Sequence, residues 1–403
     1  MAESMTGTTQ RTAAPHSLPR TRRTAAPAPA SGTGAPPAGT PGRPPGPGGE
    51  QSASGDGGGR EAEQVLRQAR AVVDPELRAA LGTLPGPVRR TALYHFGWEE
   101  ADGTPAAGNA GKAIRPALVL AAADALGGAR ARTGAVRAAA AVELVHNFTL
   151  LHDDVMDRDT TRRHRPTAWT VFGENAAILA GDALQALALR LLAEDPRPAS
   201  AAAAARLADC VVELCAGQQA DTALERRDPT GVALDEVLAM AEAKTGALLG
   251  CACALGALCA GASADQVAAL DAFGRQAGLA FQLIDDVIGI WGDPGRTGKP
   301  AGADLAARKK SLPVVAALTS GTPAAADLAE LYAAPPAAGR AEDPDTVARM
   351  ALAVERAGGR DWAQTQAADR MARAVDALAG AVPDADAAGG LLALAEFVTR
   401  RTG

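Results

Sequence analysis

The scarcity of aromatic residues constrains the possible fold of this chain more than any other feature of its sequence. Phe, Tyr and Trp together make up 3% of the 403 residues, whereas hydrophobic residues as a group make up 47%. The core must therefore be built mainly from Ala, Leu and Val. Ala and Leu are strong helix formers, and aromatic residues favour strands. The composition predicts an all-α protein and nearly excludes an all-β one.

The apolar pattern beyond residue 60 agrees with this prediction, because no segment alternates convincingly with a period of two. Helical periodicity, interrupted by Pro and Gly, predicts helices over 61–81, 116–127, 131–157, 174–193, 199–224, 232–259, 264–290, 310–318, 346–356, 361–378 and 385–400. Length alone allows two or three domains at roughly 150 residues each. The continuous helical pattern instead predicts a single all-α domain over residues 61–403.

Residues 1–60 differ in composition from the rest of the chain. They contain one leucine and no Ile, Val, Phe, Tyr or Trp, and Pro, Ala, Gly, Ser and Thr dominate. Such a segment cannot bury enough apolar surface to offset the entropy lost on ordering, so we expect a disordered N-terminal tail. Two interpretations of this tail stay open: an inert extension, and a docking segment for a partner.

Charge and cysteine usage limit the class of protein further. The chain has 46 acidic and 40 basic residues, which argues against a nucleic-acid partner. The five cysteines are odd in number and show no C-x-x-C spacing, which is typical of buried thiols in a reducing compartment. The N-terminus lacks a secretory signal, and we find no apolar run long enough to span a membrane. The sequence therefore predicts a cytoplasmic protein.

The clearest chemical signal is a group of aspartates inside an apolar helix. Asp153 and Asp157 are four residues apart and share one helix face, with Asp154 between them. The apolar neighbours Phe148 and Leu151 do not suit a solvated acidic surface. Carboxylates in this arrangement fit Mg²⁺, which binds through one or two carboxylates together with substrate phosphates. The spacing therefore indicates a magnesium site.

A second acidic pair, Asp285 and Asp286, interrupts another apolar helix in the same way. If the two acidic segments face each other across a helix bundle, they form a carboxylate-walled pocket. Such a pocket would bind several Mg²⁺ ions and, through them, a diphosphate ester.

Basic residues that could bind phosphates accompany the acidic pairs. Lys112 and Arg115 lie at a predicted helix start, where free N–H groups and the helix dipole also favour an anion. Arg162 and Arg163 follow the first acidic segment, and Lys299 lies in a Gly-rich loop beyond the second. Together with the aspartates, these bases predict a site for two polyanions, one bound through metal and one bound by basic side chains.

These motifs, in this order, resemble those of the trans-prenyl diphosphate synthases (polyprenyl synthetase family), most of all the geranylgeranyl diphosphate synthases of actinobacteria. The resemblance covers about residues 80–400. It rests on Gly-Lys-x-x-Arg-Pro at 111–116, the aspartates of 153–157, Arg162–Arg163, Gly217-Gln218-x-x-Asp221, Lys244-Thr245 and the segment from Gln282 to Asp286. It implies the isoprenoid synthase type I fold, a bundle of long helices around a central catalytic cavity, and a homodimer.

The resemblance also implies roles for individual residues. The implied metal ligands are Asp153, Asp154, Asp157, Asp285 and Asp286, with Asp153 and Asp157 as direct ligands and Asp286 in support, and three Mg²⁺ ions per site. The implied isopentenyl diphosphate site is Lys112, Arg115, His146 and Arg163. The implied allylic diphosphate site is Arg162, Lys244 and Lys299. The implied catalytic residues are Lys244, together with Thr245 and Gln282 near the developing carbocation.

The activity implied is a Mg²⁺-dependent condensation of isopentenyl diphosphate with an allylic diphosphate (dimethylallyl, geranyl or farnesyl). Thr149 is small and Phe148 is bulky just before the first aspartates, a pattern that resembles makers of the C20 product geranylgeranyl diphosphate. Farnesyl diphosphate synthase is the main alternative. A class I terpene cyclase fits less well, because it needs only one diphosphate site and this sequence predicts two. A non-catalytic regulatory subunit also fits less well, because the first aspartate motif is intact.

The resemblance extends to the tail, because some actinobacterial synthases with such tails are cargo of encapsulin shells. We therefore expect residues 1–60 to direct the chain into an encapsulin compartment or to another partner, unless the tail is inert. Two positions depart from the family pattern. Gly289 replaces the third aspartate of the second motif, where Asp293 could partly substitute, and His164 replaces the glycine after the arginine pair.

Overall fold

The computed structural model describes residues 57–106, 108, 111–297, 300–334 and 342–399. The helices are α1 (Gly57–Gly82), α2 (Gly86–His95), α3 (Ile114–Gly134), α4 (Val136–Met156), α5 (Ala168–Phe172), α6 (Glu174–Ala193), α7 (Ser200–Glu225), α8 (Leu234–Ala241), α9 (Ala247–Cys259), α10 (Ala264–Trp291), α11 (Pro294–Thr297), α12 (Ala303–Ala306), α13 (Leu312–Leu318), α14 (Pro323–Ala333), α15 (Pro344–Arg356), α16 (Gly359–Ala381) and α17 (Ala385–Thr399). Two short strands, β1 (Thr161–Arg162) and β2 (Arg165–Pro166), pair as an antiparallel hairpin.

The all-α prediction is confirmed, and most predicted helices are present within a few residues of the expected bounds. α1 begins at Gly57, slightly before the predicted start of the helical region, and residues 1–56 of the predicted tail lie outside the described residues. The sequence did not predict α2, α5 and α14, which are short. Gly128 takes non-helical backbone angles (φ 62°, ψ −164°) and interrupts α3 next to its predicted end at residue 127, and a second helical stretch follows to Gly134.

Four helix pairs build the bundle that surrounds the central cavity. α10 packs along α9 and α16, α4 packs along α6, and α3 packs along α9. Small residues let these helices approach closely. A Cβ atom at Gly256 of α9 would lie 2.3 Å from the Val119 carbonyl oxygen of α3, and one at Gly274 of α10 would lie 2.4 Å from that of Leu249. The many small residues of this chain therefore allow its helices to pack closely.

The predicted helix over 232–259 is interrupted by a π-helical turn, Glu242–Gly246, between α8 and α9. A π turn adds one residue to the helical repeat, so it changes the direction in which the following side chains point. The turn packs against α7, where a Cβ atom at Gly217 would lie 2.7 Å from the backbone nitrogen of Lys244. This irregular turn carries Lys244 and Thr245, two of the predicted site residues.

By length and composition alone, two stretches of the described residues are apolar enough to cross a membrane, Glu174–Ala193 and Leu234–Cys259. Both stretches contain charged residues, among them Asp182 in the first and Lys244 in the second. Within the protein, 44% of the first apolar window and 61% of the second are buried. Core helices of globular proteins meet the same criterion, and both stretches pack here as bundle helices.

Candidate active site

The two acidic segments meet at the C-terminal ends of α4 and α10. Asp153 and Asp285 line the same cavity, which has a volume of about 330 Å³ and is the smaller of the two that Asp153 borders. Asp221 and Glu225 of α7 line this smaller cavity as well. We call it the carboxylate cavity. The arrangement that the sequence predicted, with the acidic pairs facing each other, is the arrangement in the structure.

The carboxylates of this region are held in an environment that disfavours their negative charge. Burial raises the pKa of Asp153 to about 6, and the charges of Asp157 and Asp221 add to the shift, although Lys244 opposes it. Burial also raises the pKa of Asp157 and of Glu225. A bound cation would relieve this repulsion, so the residues present fit a divalent metal.

The donor set also indicates which metal fits. Within the described ranges, no three carboxylate, imidazole or thiol groups converge closely enough to hold a metal ion by themselves. Oxygen ligands from one or two carboxylates, completed by water and substrate phosphates, are the coordination that Mg²⁺ prefers in proteins. The fit is therefore to magnesium bound jointly with a diphosphate.

Asp154 is placed differently from its neighbours in the motif. Its side chain is buried and accepts a hydrogen bond of 2.7 Å from Nε of Arg162. It lines a different cavity from Asp153, because successive residues of a helix point about 100° apart. Asp154 therefore orients Arg162, whereas Asp153 is the residue of this adjacent pair that lines the carboxylate cavity.

A hydrogen-bond chain links Thr245 of the π turn to Gln282 and Asp286 of α10. The hydroxyl of Thr245 donates to Oε1 of Gln282 at 2.9 Å, and Nε2 of Gln282 donates to Oδ1 of Asp286 at 2.9 Å. Asp286 is buried and also accepts from Nζ of Lys309 at 3.2 Å and from the backbone N–H of Leu312 at 3.0 Å. Asp286 thus holds the hydrogen-bond chain in place, and its implied support of a metal ion stays a prediction.

Lys244 stands where the carboxylate cavity meets a second, apolar cavity, and it lines both. Its Nζ donates to Oδ2 of Asp221 at 2.5 Å. Burial opposes the charge of Lys244, but Asp221 and Asp153 more than offset this effect and raise its pKa. The ammonium group is therefore fully charged at the edge of the acidic cluster, where a phosphate could share it.

A third cavity, of about 820 Å³, contains the predicted isopentenyl diphosphate residues, and we call it the anion cavity. It is lined by Lys112, Arg115, His146, Arg162 and Arg163, and also by His95, Glu143 and Asp285. Burial lowers the pKa of Arg115 and of Arg163, and Glu143 opposes both shifts. Repulsion from Arg163 adds to the shift of Arg115, and repulsion from Arg162 adds to that of Arg163. The positive charges of these side chains are thus only partly neutralised, which fits a bound phosphate.

Two histidines border the same bases and are neutral. Burial lowers the pKa of His146 well below its usual value, with Arg115 and Arg163 adding to the shift. Burial likewise lowers the pKa of His95 to about 3. A neutral imidazole can donate a hydrogen bond to a phosphate without adding a further positive charge to the cluster.

The backbone that carries these bases is unusual. Gly111 and Ala113 take positive φ values of 99° and 53° just before α3 begins, and a Cβ atom at Gly111 would lie 2.5 Å from Nη2 of Arg163. Arg163 and His164 form the hairpin turn between β1 and β2 with φ values of 51° and 63°. His164 therefore adopts the left-handed conformation for which the family uses glycine, at the steric cost that a side chain brings there.

The apolar cavity has a volume of about 650 Å³ and extends from the carboxylate cavity along α4 and α7. Phe148 and Thr149 line it on α4, and Leu214, Cys215 and Gln218 line it on α7. It shares Asp153, Lys244 and Thr245 with the carboxylate cavity, and Arg115 and His146 with the anion cavity. The three cavities are therefore parts of one site.

Asp304 occupies the space beside Gly289, the position at which the family pattern has a third aspartate. A Cβ atom at Gly289 would lie 2.3 Å from Oδ2 of Asp304, so the carboxylate of α12 fills the space that a side chain at 289 would need. Asp304 lies 3.7 Å from Nζ of Lys309. Asp293, the predicted substitute, instead accepts a hydrogen bond of 2.8 Å from the backbone of Gly295. The carboxylate of Asp304 therefore occupies the space beside Gly289, and the substitution by Asp293 stays a prediction.

Sequence reasoning named Asp221 without giving it a role, it missed Glu225 and Lys309, and one predicted residue is not described by the structure. Glu225 lies four residues, or one turn of α7, after Asp221. The same spacing made Asp153 and Asp157 a candidate metal site in the sequence. Lys309 had no comparable signal, since only its contact with Asp286 reveals it. Lys299 lies outside the described residues.

An all-α bundle in which paired carboxylates, a basic anion site and an apolar pocket adjoin defines a trans-prenyltransferase. Residues 104–347 match the family described as Polyprenyl synthetase, and the chain belongs to this family. It is a short-chain prenyl diphosphate synthase, as the sequence predicted.

Individual relatives support this assignment. The chain is 50% identical to the geranylgeranyl diphosphate synthase of Mycobacterium tuberculosis over 84% of its own length and 93% of that protein. It is 44% identical to the (2E,6E)-farnesyl diphosphate synthase of Mycobacterium bovis over 85% and 94% of the two chains. The crystal structure of a polyprenyl synthetase from Streptomyces coelicolor superposes with a TM-score of 0.78 at 44% identity, and covers 83% of this chain and 98% of that one.

Proposed function

We propose that this synthase condenses isopentenyl diphosphate with dimethylallyl, geranyl and farnesyl diphosphate in succession and releases mainly geranylgeranyl diphosphate. The observation that carries the proposal is the continuity of the three cavities, because Arg115 and Leu150 line all of them. A diphosphate, a second diphosphate and a growing hydrocarbon can thereby occupy one site. Incubation with both substrates and Mg²⁺, followed by chromatography of the product alcohols, tests it.

The charges divide the two diphosphates between the cavities. The cationic side chains of the anion cavity suit isopentenyl diphosphate, which needs no metal for its reaction. The carboxylate cavity suits the allylic diphosphate, with Asp153, Asp157 and Asp285 holding Mg²⁺, and Lys244 and Arg162 contacting the phosphate oxygens directly. When bound, Mg²⁺ would neutralise the leaving diphosphate as a Lewis acid. Three ions, as the resemblance implies, would need Asp304 in place of the missing aspartate at 289.

The reaction follows from this division of charge. The C–O bond of the allylic diphosphate breaks, and its electron pair leaves with the diphosphate that Lys244 and Arg162 hold. The isopentenyl double bond then attacks the allylic cation, which forms the new C–C bond. The proton lost from the resulting cation goes to the released diphosphate, since no side-chain base stands out. The linked oxygens of Thr245 and Gln282 stabilise the cation, and the apolar wall excludes water.

Product length is set by the apolar cavity, because the growing chain is anchored at the carboxylates and must extend along α4. Thr149 lies one turn from Asp153 and is small, whereas Phe148 borders the same cavity with a buried ring. This combination narrows the cavity without closing it. The similarity to a farnesyl diphosphate synthase keeps the C15 product as the alternative.

Two substitutions in the apolar cavity should change the product in opposite directions. Thr149→Phe places a ring in the path of the chain and should shift the main product toward C15, whereas Phe148→Ala widens the cavity and should lengthen it. The ratio of product alcohols by chromatography is the measurement. Val375→Ala, at an exposed position of α16, is the control and should leave the ratio unchanged. An unaltered ratio in Phe148→Ala would place the floor of the cavity elsewhere.

We further propose that the chain acts as a cytoplasmic homodimer. Apolar side chains are exposed on neighbouring elements that a second copy could cover, namely Met156, Ile178, Leu179 and Val212. Their side chains are between 38% and 71% exposed. Such exposed apolar residues on adjacent helices are typical of subunit interfaces. Sedimentation equilibrium would give the mass of the particle.

The tail should be dispensable for chemistry and should instead direct the chain to a partner such as an encapsulin shell. Deleting residues 1–56 should leave turnover within about twofold and the melting temperature nearly unchanged, because this composition cannot build a core. A longer deletion, to residue 66, is the matched control. It removes the buried side chains of Ala62 and Leu66 and should lower the melting temperature.

Two results would contradict this prediction for the tail. A melting temperature that falls as far with the shorter deletion as with the longer one would show that residues 1–56 pack against the domain. Equal recovery of co-purifying shell protein from native lysate with and without the tail would remove the docking role.

A further inference from the structure

His152, the residue before the first aspartate, makes contacts that the binding of diphosphates does not require. Its Nε2 lies 3.0 Å from the carbonyl oxygen of Ile178 on α6. A carbonyl oxygen can only accept, so Nε2 carries the proton and donates it. The imidazole also packs edge-on against the ring of Phe148, one turn earlier on α4, with the ring centroids 4.9 Å apart at an interplanar angle of 79°.

The surface of α6 is shaped to admit this imidazole. A Cβ atom at Gly181 would lie 2.3 Å from Nε2 of His152, so any other residue at 181 would displace the ring. The nearest carboxylate oxygen, Oδ1 of Asp182, is 3.7 Å from Nε2, which is beyond hydrogen-bond range. The Ile178 carbonyl is therefore the group that anchors the ring to α6.

We propose that His152 is a positioning residue for product length, which it controls by holding the ring of Phe148 in the wall of the apolar cavity. The inference rests on the proposed function. Phe148 and His152 are an i, i+4 pair that both line the cavity, so the two rings restrict each other. With its far side bonded to α6, the imidazole forms a fixed surface behind Phe148. Without it, the phenyl ring can move away from the cavity and admit a longer chain.

The test is the ratio of longer to shorter product alcohols from His152→Ala, Phe148→Ala and the double variant. His152→Ala should raise this ratio by roughly two- to tenfold, the range that an aromatic pair of this kind contributes. Because His152 acts through Phe148, the double variant should match Phe148→Ala alone. A ratio is independent of the fraction of enzyme that is folded, so loss of stability does not imitate the effect.

Two further variants distinguish the hydrogen bond of His152 to the Ile178 carbonyl from the presence of an aromatic ring at position 152. Gly181→Ala displaces the imidazole from α6 without altering it and should shift the ratio in the same direction. Gly380→Ala, at an exposed helical glycine of α16 with open space around it, is the matched control and should leave the ratio unchanged. His152→Phe retains a ring but has no N–H for the Ile178 carbonyl, so it should also lengthen the product.

The proposal is overturned if His152→Ala leaves the ratio unchanged, or if its effect adds in full to that of Phe148→Ala. Addition would mean that the imidazole touches the growing chain itself. Failure of the proposed function is read separately, from the wild-type enzyme. A wild type that releases farnesyl diphosphate contradicts the C20 proposal, yet the same ratio of longer to shorter products still tests His152.

Discussion

Replacing Asp153 by alanine is expected to lower kcat by about three orders of magnitude or more. Asp153 lines the carboxylate cavity, where burial raises its pKa and the neighbouring carboxylates of Asp157 and Asp221 add to the shift. Loss of this ligand removes metal-based stabilisation of the departing diphosphate, which is worth several kcal/mol. Steady-state release of diphosphate in the presence of Mg²⁺ measures the effect.

The fold should survive this substitution. Burial already disfavours the charged form of Asp153, so its removal should not lower the melting temperature measured in a chelator. Asp209→Ala, at an exposed position of α7, is the matched control and should retain wild-type turnover. Wild-type turnover in Asp153→Ala, with an unchanged circular dichroism spectrum, would refute the metal assignment.

Replacing Arg115 by alanine should raise the KM for isopentenyl diphosphate by roughly 10- to 100-fold. A hydrogen bond between charged groups contributes about 1.5–3 kcal/mol, and burial that lowers the pKa of Arg115 leaves its charge poorly compensated without an anion. Lys112→Ala should act in the same direction but less strongly, because Lys112 is exposed. Initial rates with each substrate varied in turn separate the two KM values.

Arg130→Ala, an exposed arginine on the same helix, is the control and should leave both KM values unchanged. The KM for the allylic substrate should rise much less than that for isopentenyl diphosphate in Arg115→Ala. Arg115 borders all three cavities, so equal increases for both substrates would show that the two diphosphates are not divided as proposed.

The helices and the shared face of Asp153 and Asp157 could be predicted because both depend on local sequence. Periodicity over one or two turns decides which residues lie on one side of a helix. The bounds of α6 agree with the prediction, and those of α7 and α10 nearly so. Short helices such as α2 offer too few turns for periodicity to be recognised.

Adjacent aspartates of one motif have different positions and contacts in the structure, and the local sequence does not reveal the difference. Asp154 pairs with Arg162 and lines the anion cavity, whereas Asp153 and Asp285 border the carboxylate cavity. Asp286 borders that cavity as well, but it is buried and bonded to Lys309. All four are aspartates in similar apolar surroundings along the chain. The difference arises from the way that each helix is rotated in the bundle.

The sequence by itself determined an all-α chain with two inward-facing acidic segments and a basic segment before α3, because helical propensity and periodicity act between neighbours. Only the tertiary structure decided that Asp304 fills the space beside Gly289, that Gly217 presses on the turn carrying Lys244, and that His152 reaches α6. These contacts join residues from different helices. They depend on how closely two helices approach, and that distance is set by packing of the whole core.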